Sequence, residues 1–329
     1  MKEFLKKITP AFLKRHWGTF SVAKELSKET GISYWALLFD MNLSVLSCVT
    51  PYEYKMYRFY EKSRRARDQF MTDHRKQKMM RVFNSADRSL IKNKHEFNRL
   101  FSDFVGRQWL YAPDVSDQQI KDFLDIHKQI IVKPNDGSEG KGIYKVSPSE
   151  LTDMEAFCES ARKNCLILEE IIEQHPALSA INPASVNTMR ITVVVDRVGV
   201  PHCLSAGLRM GRGQTVTDNL SVNGLIAQID METGILFTPA IGADLQTYIK
   251  HPVSGIILPG FQIPHWEAVK TMVFRAAKIA HQHQLRWIGW DVAVTEGGPL
   301  LIEGNSRPNP RTVQMATQTG YYHILRSYL

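Results

Sequence analysis

The feature of this sequence that most constrains its fold is an alternation of strand-like and helical segments after about residue 90. The strand-like runs are rich in isoleucine and valine, and they comprise Ile130–Lys133, Leu166–Glu169, Arg190–Asp196 and Cys203–Arg209. Helical periodicity appears in stretches such as Ser116–Lys128 and Pro264–His283. The first of these stretches opens with Ser116 and has Gln119 three residues later, a capping-box signature. The pattern predicts a mixed fold of the α+β class.

The region before residue 90 is different, because it is helical in pattern and strongly basic. Residues 1–100 hold 21 lysines and arginines against 10 aspartates and glutamates, a net charge of +11, whereas the whole chain carries +8. Such an imbalance favours an anionic partner or a membrane-surface contact, with a solvated helical face as the alternative. The segment Tyr52–Phe70 interleaves aromatic and basic residues, which would suit single-stranded RNA. At helical spacing we expect its aromatics to pack in a core, so a nucleic-acid partner is disfavoured.

Composition narrows the class of protein further. With 329 residues, 43% hydrophobic and 22% charged, the chain resembles globular proteins and not disordered ones. The longest apolar run, Trp35–Val49, contains Asp40 and Asn42 and falls short of the ~20 residues that a membrane span requires. No secretory signal is evident, and the 4 cysteines form no CxxC pair. These features predict a cytoplasmic protein with reduced thiols.

A glycine-containing hairpin is expected at Gln129–Val146, where two strand-like runs flank a loop with Gly137, Gly140 and Gly142. Glycines let backbone N–H groups approach a bound anion closely. The loop is not a Walker A sequence, because Lys141 is followed by glycine and not by serine or threonine. A lysine on the incoming strand, Lys133, is placed to reach phosphate oxygens. A purely structural hairpin is the alternative.

A second hairpin is predicted at Ile288–Pro310. If Glu296, Gly297 and Gly298 form its loop, Thr295 lies opposite Pro299, and Asp291 lies opposite Glu303. Asn305 projects to the same face as Glu303, since side chains alternate along a strand. The other face is expected to form core from Val292, Val294, Leu300 and Ile302.

The chemistry of this second hairpin indicates a metal. Two facing carboxylates repel each other unless a cation lies between them. Two carboxylates and an amide oxygen, Asp291, Glu303 and Asn305, are a ligand set for Mg²⁺ and not for Zn²⁺. A solvated acidic hairpin is the alternative.

A third segment, Leu166–Pro176, is an apolar strand that leads into acidic residues. Its exposed backbone at Glu170–Ile172 would be able to hydrogen-bond an adenine, and Glu173 would be able to accept a hydrogen bond from a ribose hydroxyl. Alone, the segment is an ordinary strand end.

Taken together, these segments resemble the ATP-grasp fold. Four stretches are similar to its sugar-transfer-associated branch in particular: SVNTMRI (Ser185–Ile191), GLRMGRG (Gly207–Gly213), TDNLSVNG (Thr217–Gly224) and IGWDVAVTEGGPLLIEGN (Ile288–Asn305). The resemblance spans roughly residues 35 to 310. It implies two α+β subdomains that clamp a nucleotide. The expected divisions are a basic helical region at 1–90, a small subdomain with a glycine-rich lid at 91–172, and a large subdomain with the metal site at 173–329.

The resemblance also implies roles for individual residues. Lys133, with Lys94 as a second candidate, would contact phosphates. The lid would include Gly137, Ser138, Gly140, Lys141 and Gly142. The adenine hinge would lie at Glu169, Glu170 and Ile172, and the ribose near Glu173. Asp291, Glu303 and Asn305 would hold Mg²⁺.

The sequence departs from this pattern at two places. Many ATP-grasp ligases carry an arginine two residues before the first metal aspartate, but Gly289 stands there. Arg190, Arg209 or Arg307 must then supply that charge, and the sequence leaves the choice open. Paired glycines often end the stretch after Asp218 and Asn219, whereas this chain has only Gly224 there.

The activity that the resemblance implies is ATP-dependent ligation of a carboxylate to an amine through an acyl phosphate, with ATP and Mg²⁺. The branch name suggests cell-surface polysaccharide biosynthesis, in which an amino acid is joined to a uronic acid or a similar glycan precursor. The basic N-terminal region would suit a peripheral membrane contact. The alternatives are a phosphotransferase, a peptide-bond-forming ligase of a biosynthetic pathway, and a non-catalytic nucleotide sensor.

Overall fold

A computed structural model describes residues 10–85, 89–137, 142–213 and 224–329, with side chains from residue 18 onward. The chain forms two compact units. The first contains residues 10–82, 309–327 and 329, and the second contains residues 83–308 and 328.

The first unit is helical in the residues described. Its helices are α1 (Pro10–Thr30), α2 (Tyr34–Leu46), α3 (Pro51–Met56), α4 (Arg64–Arg67) and α5 (Asp73–Phe83), which continues into the second unit, followed near the C-terminus by α13 (Arg311–Thr317) and α14 (Tyr322–Arg326). A capping box starts α3: the Thr50 hydroxyl accepts from the Glu53 N–H at 3.2 Å, and the Glu53 carboxylate accepts from the Thr50 N–H at 2.9 Å.

Aromatic side chains form the core of this first unit. The ring of Phe70 lies 4.9 Å from that of Tyr57 and 5.3 Å from that of Phe59, between centroids. Tyr54 is also buried, whereas Tyr52 is exposed. The expectation that most aromatics of Tyr52–Phe70 face the core is confirmed, because these rings bury a large apolar area.

The second unit combines helices with two antiparallel sheets. Its helices are α6 (Ser89–Lys92), α7 (Lys94–Leu100), α8 (Ser102–Val105), α9 (Asp117–His127), α10 (Met154–Lys163), α11 (Pro176–Ile181) and α12 (Trp266–Gln282). Its strands are β1 (Trp109–Tyr111), β2 (Ile130–Pro134), β3 (Tyr144–Val146), β4 (Leu166–Glu170), β5 (Met189–Val195), β6 (Pro201–Met210), β7 (Leu225–Ile229), β8 (Ala240–Gly242), β9 (Thr247–Tyr248), β10 (Trp287–Thr295) and β11 (Gly298–Asn305). The small sheet has the order β1-β4-β2-β3, and the large sheet has the order β11-β10-β5-β6-β7-β8-β9. The predicted α+β class is confirmed.

The small sheet buries one face and leaves the other for polar chemistry. On β2, Ile130 and Val132 join a core with Leu168 of β4 and with side chains of α9 and α10. Ile131 and Lys133 alternate with them and face the opposite side. The predicted capping box of α9 is present, with the Ser116 hydroxyl accepting from the Gln119 N–H at 3.3 Å.

The large sheet follows the same rule. Helix α12 places Val269, Val273 and Ala276 in one core with Ile191 of β5 and Val292 of β10. Arg190, Arg209 and Asp291 are among the residues that alternate with the core positions. The core therefore fixes the face from which these charged side chains project.

The β10–β11 hairpin corrects two predictions. Its turn contains Glu296 and Gly297 only, because Thr295 pairs with Gly298 and not with Pro299. A β-bulge then shifts the register by one residue, so that Asp291 pairs with Glu303 as predicted. The two changes compensate: the turn is one residue shorter than expected, and Ile302 is the extra residue on β11.

The bulge also changes which side chains of β11 are core. Leu301, and not Leu300, joins Val292 and Val294 in the core of the large sheet. Ile302 lines a cavity on the opposite side and is not a core residue. Leu300 is buried, but outside this core. The face predicted for Leu300 and Ile302 was wrong because strict alternation does not hold across a bulge.

Two further observations concern the chain as a whole. Within the described residues, no helix has both the length and the apolar character needed to cross a bilayer. Cys48, Cys158, Cys165 and Cys203 are free cysteines in the structure.

Candidate functional site

A cavity of about 430 Å³ lies between the small and large sheets of the second unit. One wall is formed by β2, β3, β4 and the segment that follows β4. The other is formed by residues of β6, β10 and β11 and by the loop before β5. The charged side chains on the cavity are Lys133, Lys145, Glu169, Glu170, Glu173, Arg209, Asp291 and Glu303. The cavity thus collects most of the charged residues that were predicted to act on a nucleotide.

A buried ion-pair network organises the small-sheet wall. The Lys133 ammonium lies 2.5 Å from the Glu169 carboxylate, which Arg107 also contacts through Nε at 2.9 Å and Nη2 at 3.1 Å. Burial alone would raise the pKa of Glu169, but the charges of Arg107 and Lys133 hold it well below its usual range. The Glu169 carboxylate is thus paired with both Lys133 and Arg107, and the place of Glu169 at an adenine hinge stays a prediction.

Arg107 links the two sheets and was missed by sequence reasoning. Its Nε and Nη2 contact Glu169 on β4. Its Nη1 donates to the Leu301 carbonyl of β11 at 2.7 Å and to the Val105 carbonyl at 3.1 Å. Its partners Glu169 and Leu301 are 62 and 194 residues away in sequence, so no local pattern marks it. One guanidinium therefore holds both walls of the cavity together.

Lys94, the second candidate for a phosphate contact, lies near the same network. Its Nζ donates to the Gly137 carbonyl at 3.3 Å, and its backbone N–H donates to the Asn135 carbonyl. Burial lowers the pKa of Lys94, with the nearby charge of Glu303 acting in the opposite direction and that of Lys133 lowering it further. The structure thus brings Lys94, Lys133 and Glu303 into one electrostatic environment.

The glycine loop is described only at its ends. Ser138, Gly140 and Lys141 lie outside the described residues. Gly142 has φ +75°, and a Cβ there would lie 2.9 Å from Pro134 Cγ, so the position requires glycine. Lys145 also lines the cavity, and the sequence analysis missed it. It pairs with Ile131, which alternates with the core residues of β2 as Lys133 does, so strand alternation and pairing would have placed it on the cavity face.

The segment after β4 forms one rim of the cavity. Glu170 is held at its start, since its backbone N–H donates to the Gln108 carbonyl and its carboxylate accepts from the Gln108 N–H, both at 3.0 Å. Ile172 and Glu173 follow and line the cavity. The nucleotide-binding roles of Glu170, Ile172 and Glu173 stay predictions.

The loop before β5 is fixed by a buried amide network that the sequence did not reveal. The Asn187 Nδ2 donates to the carbonyls of Leu178 and Asn182, each at 2.9 Å, and the Asn187 N–H donates to Gln174 Oε1 at 2.9 Å. Asn187 is fully buried. The network holds Ser185 and its neighbours against the cavity, which gives a structural role to the SVNTMRI stretch.

On the large-sheet wall, Asp291 is held by two arginines. Arg190 contacts its carboxylate through Nε and, at 2.9 Å, through Nη2, and Arg209 Nη2 lies 2.6 Å away. Burial would raise the pKa of Asp291, but the charges of Arg190 and Arg209 lower it strongly. Asp291 is therefore ionised.

Glu303 behaves in the opposite way. Burial, together with the negative charge of Asp291 and a hydrogen bond to it, raises the pKa of Glu303 to about 7. Asn305 lies two residues further on β11, opposite Gly289, and its Oδ1 accepts from the Arg307 N–H at 2.8 Å. Two adjacent carboxyl groups with an amide oxygen nearby suit a hard cation, which would remove the repulsion within the pair. Across the described ranges, no cluster of three or more His, Cys, Asp or Glu side chains forms a metal site, so the candidate set relies on the amide.

The structure narrows the choice among the three candidate arginines. A Cβ at Gly289 would lie 3.1 Å from Arg190 Cδ and 3.4 Å from its Nη1, so the glycine leaves room for the Arg190 side chain. Arg190 and Arg209 both reach Asp291, whereas Arg307 is exposed. The Arg190 side chain thus lies beside the space that a side chain at position 289 would occupy, and its role as the substitute arginine stays a prediction.

Comparisons with known proteins place this geometry in a family. The chain is similar to the ATP-grasp ligase PsnB in complex with a minimal precursor, Mg and ADP, at 16% identity and a TM-score of 0.44, over 73% of this chain and 58% of that one. It is similar to D-cycloserine synthetase DcsG at 11% identity and a TM-score of 0.43, over 73% and 71% of the two chains. For the L-amino acid ligase from Bacillus licheniformis the values are 13% and 0.43, over 72% and 47%.

The match covers less than two thirds of PsnB and of the L-amino acid ligase. No curated protein matches this sequence. The family model described as sugar-transfer associated ATP-grasp matches residues 75–328. The chain therefore belongs to the sugar-transfer associated ATP-grasp family, and the ATP-grasp fold predicted from its sequence is confirmed.

Proposed function

We propose that this protein is an ATP-dependent ligase that joins a carboxylate to an amine. The observation that carries the proposal is the cavity between the sheets, which has Lys133 on one wall and the pair Asp291 and Glu303 on the other. A nucleoside triphosphate needs cations near its phosphates and an apolar slot for its base. The cavity offers both.

The base would lie among apolar side chains near the segment that follows β4. Ile131, Ile143 and Ile302 line the cavity, and the backbone of Ile171 and Ile172 lies beside them. The phosphates would lie toward Lys133, with Lys94 as a second cation. Because Glu169 and Arg107 fix the Lys133 ammonium, little side-chain freedom is lost when it contacts a phosphate.

Mg²⁺ would be held by Asp291, Glu303 and Asn305, where it would neutralise charge on the terminal phosphates of the nucleotide. Glu303 would hold the cation as a carboxylate, a form that its pKa of about 7 makes available near neutral pH. Asp291 is already ionised because Arg190 and Arg209 lie against it. These two arginines stand next to the proposed phosphate position and supply the positive charge that Gly289 cannot.

The reaction that fits these residues has two steps. The substrate carboxylate attacks the γ-phosphorus in line, and the bond between that phosphorus and the β–γ bridging oxygen breaks. The products of this step are ADP, which is the leaving group, and an acyl phosphate. The amine then attacks the acyl carbon, loses a proton, and expels inorganic phosphate. Lys133, Arg190 and Arg209 would stabilise the oxygens that gain charge in each transition state. No protein nucleophile is required.

The substrates follow from the family description more than from the cavity. We infer a sugar acid, such as a uronic acid on a glycan precursor, as the carboxylate and an amino acid as the amine. The description of the family as sugar-transfer associated supports this choice.

We further propose that the chain is divided into a basic region (1–90), a small subdomain (91–172) and a large subdomain (173–329). We also propose that the protein is located in the cytoplasm.

The experiment that tests the function measures phosphate and ADP release. The protein would be incubated with ATP, Mg²⁺ and a panel of uronic acids and amino acids. Release that requires both an acid and an amine supports the ligase. A phosphorylated product without free phosphate would identify a phosphotransferase, and turnover with amino acids alone would identify a peptide-bond-forming ligase.

A further inference from the structure

Helix α2 in the first unit has two apolar faces, only one of which is buried. Leu37, Leu38 and Met41 belong to the buried face. The opposite face carries Trp35, Phe39, Leu43 and Leu46, which are 73%, 69%, 38% and 71% exposed. We refer to these four residues as the α2 stripe. A helix that is apolar on all sides normally has a second partner for its outer face.

The spacing of the α2 stripe makes it a continuous surface. Its members lie at i, i+4, i+8 and i+11, so they follow one line along the helix. The sole charged residue of α2, Asp40, is neutralised by the Arg67 guanidinium at 2.7 and 2.8 Å, and it accepts a hydrogen bond from the Tyr54 hydroxyl at 2.5 Å. Little electrostatic cost therefore opposes burial of this face in an apolar phase.

A basic pocket adjoins the α2 stripe within the same unit. It encloses about 300 Å³, and its lining includes Leu43 of the stripe, three arginines (Arg64, Arg67 and Arg75) and two aspartates (Asp40 and Asp68). Arg67 is bound by Asp40, and Arg75 is bound by Asp68 at 3.0 Å. Arg64 is exposed, and its charge lowers the pKa of Asp40 across the pocket. The pocket therefore places positive charge at the edge of an apolar strip.

We propose that the α2 stripe and its basic pocket bind the surface of an anionic lipid bilayer. Trp35 and Phe39 would enter the boundary between headgroups and acyl chains, while Arg64 would contact lipid phosphates. Aromatic side chains prefer this depth of the bilayer, and a basic residue beside an inserted helix adds electrostatic attraction. The net charge of +11 in residues 1–100 is of the sign that such a surface attracts. This contact does not depend on the ligase activity.

Two other occupants of the α2 stripe would give different results. A second copy of the chain would bury the stripe in a dimer. Residues 1–9, which are not described, would cover it within the same molecule. The membrane is favoured because an apolar strip next to an arginine pocket matches the layered chemistry of an anionic bilayer, whereas neither alternative accounts for the pocket.

The test uses the full chain and sedimentation with two kinds of vesicle. One contains phosphatidylglycerol and phosphatidylcholine, and the other contains phosphatidylcholine alone. We expect binding to the first, and about 10-fold weaker binding after Trp35→Ser with Phe39→Ser. Arg64→Gln should weaken binding about five-fold, as expected for one basic residue at the bilayer surface. Phe237→Ser, which removes a 56% exposed aromatic of the second unit, is the matched control and should bind normally.

A fluorescence measurement separates insertion from simple charge attraction. Brominated acyl chains quench a tryptophan that enters the bilayer, so the wild-type protein should be quenched and Trp35→Phe should lose most of that quenching. Far-ultraviolet circular dichroism would establish that each variant is folded. Equal binding to both vesicles, binding without quenching of Trp35, or a dimer that dissociates in the Trp35→Ser and Phe39→Ser variant would each overturn the proposal.

Discussion

A buried carboxylate, Glu169, and a half-buried one, Glu303, face the same cavity from opposite walls, and their electrostatic environments differ. Glu169 on β4 lies between Arg107 and Lys133, which hold its pKa well below the usual range. Glu303 on β11 lies against Asp291, and its pKa is raised to about 7. Two cations therefore dominate the surroundings of Glu169, whereas burial and Asp291 outweigh the opposing charges of Arg190 and Arg209 at Glu303.

The difference separates an acid whose charge the protein stabilises from an acid whose charge the protein disfavours. Glu169 is satisfied by the protein itself, so it stabilises the fold and orients Lys133. Glu303 is left with an unfavourable neighbour, which is the state expected of a group that awaits a cation. Residue type alone would not distinguish them, because both are glutamates near the ends of apolar strands.

The largest effect is expected at the unsatisfied acid. Glu303→Gln should lower ATP-dependent turnover about 1,000-fold, since it removes a carboxylate from the proposed Mg²⁺ site and the phosphates lose their compensating charge. Steady-state phosphate release measures this loss, and circular dichroism checks the fold. Glu296→Gln, in the exposed turn of the same hairpin, is the control and should retain activity. Near-normal turnover in the Glu303→Gln variant would contradict the metal assignment.

The second-largest effect is expected at Glu169, the acid paired with two cations, and it is a loss of stability. Glu169→Gln should lower the free energy of unfolding by about 3 kcal/mol, because it leaves Arg107 and Lys133 buried without their counter-charge. Urea denaturation monitored by tryptophan fluorescence measures it. Glu170→Gln, next in sequence and bonded only through Gln108 in the described contacts, should cost much less. Equal losses in the two variants would mean that the ion pairs do not organise the wall.

A pH series on the same variant sharpens this second prediction. The folded-state pKa of Glu169 is lowered, so its stabilising contribution is present above the unfolded-state value of 4.5 and is lost as pH falls below it. The stability difference between wild type and Glu169→Gln should therefore shrink between pH 5 and pH 3. Unfolding free energies in matched buffers provide the measurement. A constant difference over that interval would show that Glu169 is not stabilised as an anion.

The smallest effect is expected from crowding the arginine on the Asp291 side. Gly289→Ala places a Cβ about 3.1 Å from Arg190 Cδ and should displace the guanidinium from Asp291. We expect a turnover loss of about 10-fold, equivalent to about 1.4 kcal/mol in the activation barrier, with little change in unfolding free energy. Gly297→Ala, whose nearest neighbour is 3.7 Å away, is the matched control. If both variants retain full activity, Arg190 does not take the place of the missing arginine.

Much of the fold and part of the site were accessible from the sequence. The α+β class, the capping box of α9 and the opposition of Asp291 and Glu303 followed from periodicity and strand pairing, which are local. The opposition was obtained with the wrong turn, because a two-residue turn with a bulge has the same net offset as a three-residue turn without one.

The features that the sequence did not reveal are polar contacts between residues that are far apart in the chain. Arg107 contacts Glu169 and Leu301, residues that are close only in the folded chain, and nothing around Gly106 and Arg107 signals that contact. The amide network of Asn187 is equally silent in sequence, since asparagine is usually a surface residue. Burial of polar groups depends on tertiary packing, which a pattern of hydrophobic residues does not encode.

The bulge in β11 has a consequence for how such hairpins evolve. The bulge offsets the two strands by one position. The length of the turn therefore does not by itself determine whether Asp291 pairs with Glu303. A homologous hairpin that gained one residue at its tip and straightened β11 would keep the acids face to face. The total offset between the strands, with turn and bulge counted together, is thus what keeps the two acids opposite each other.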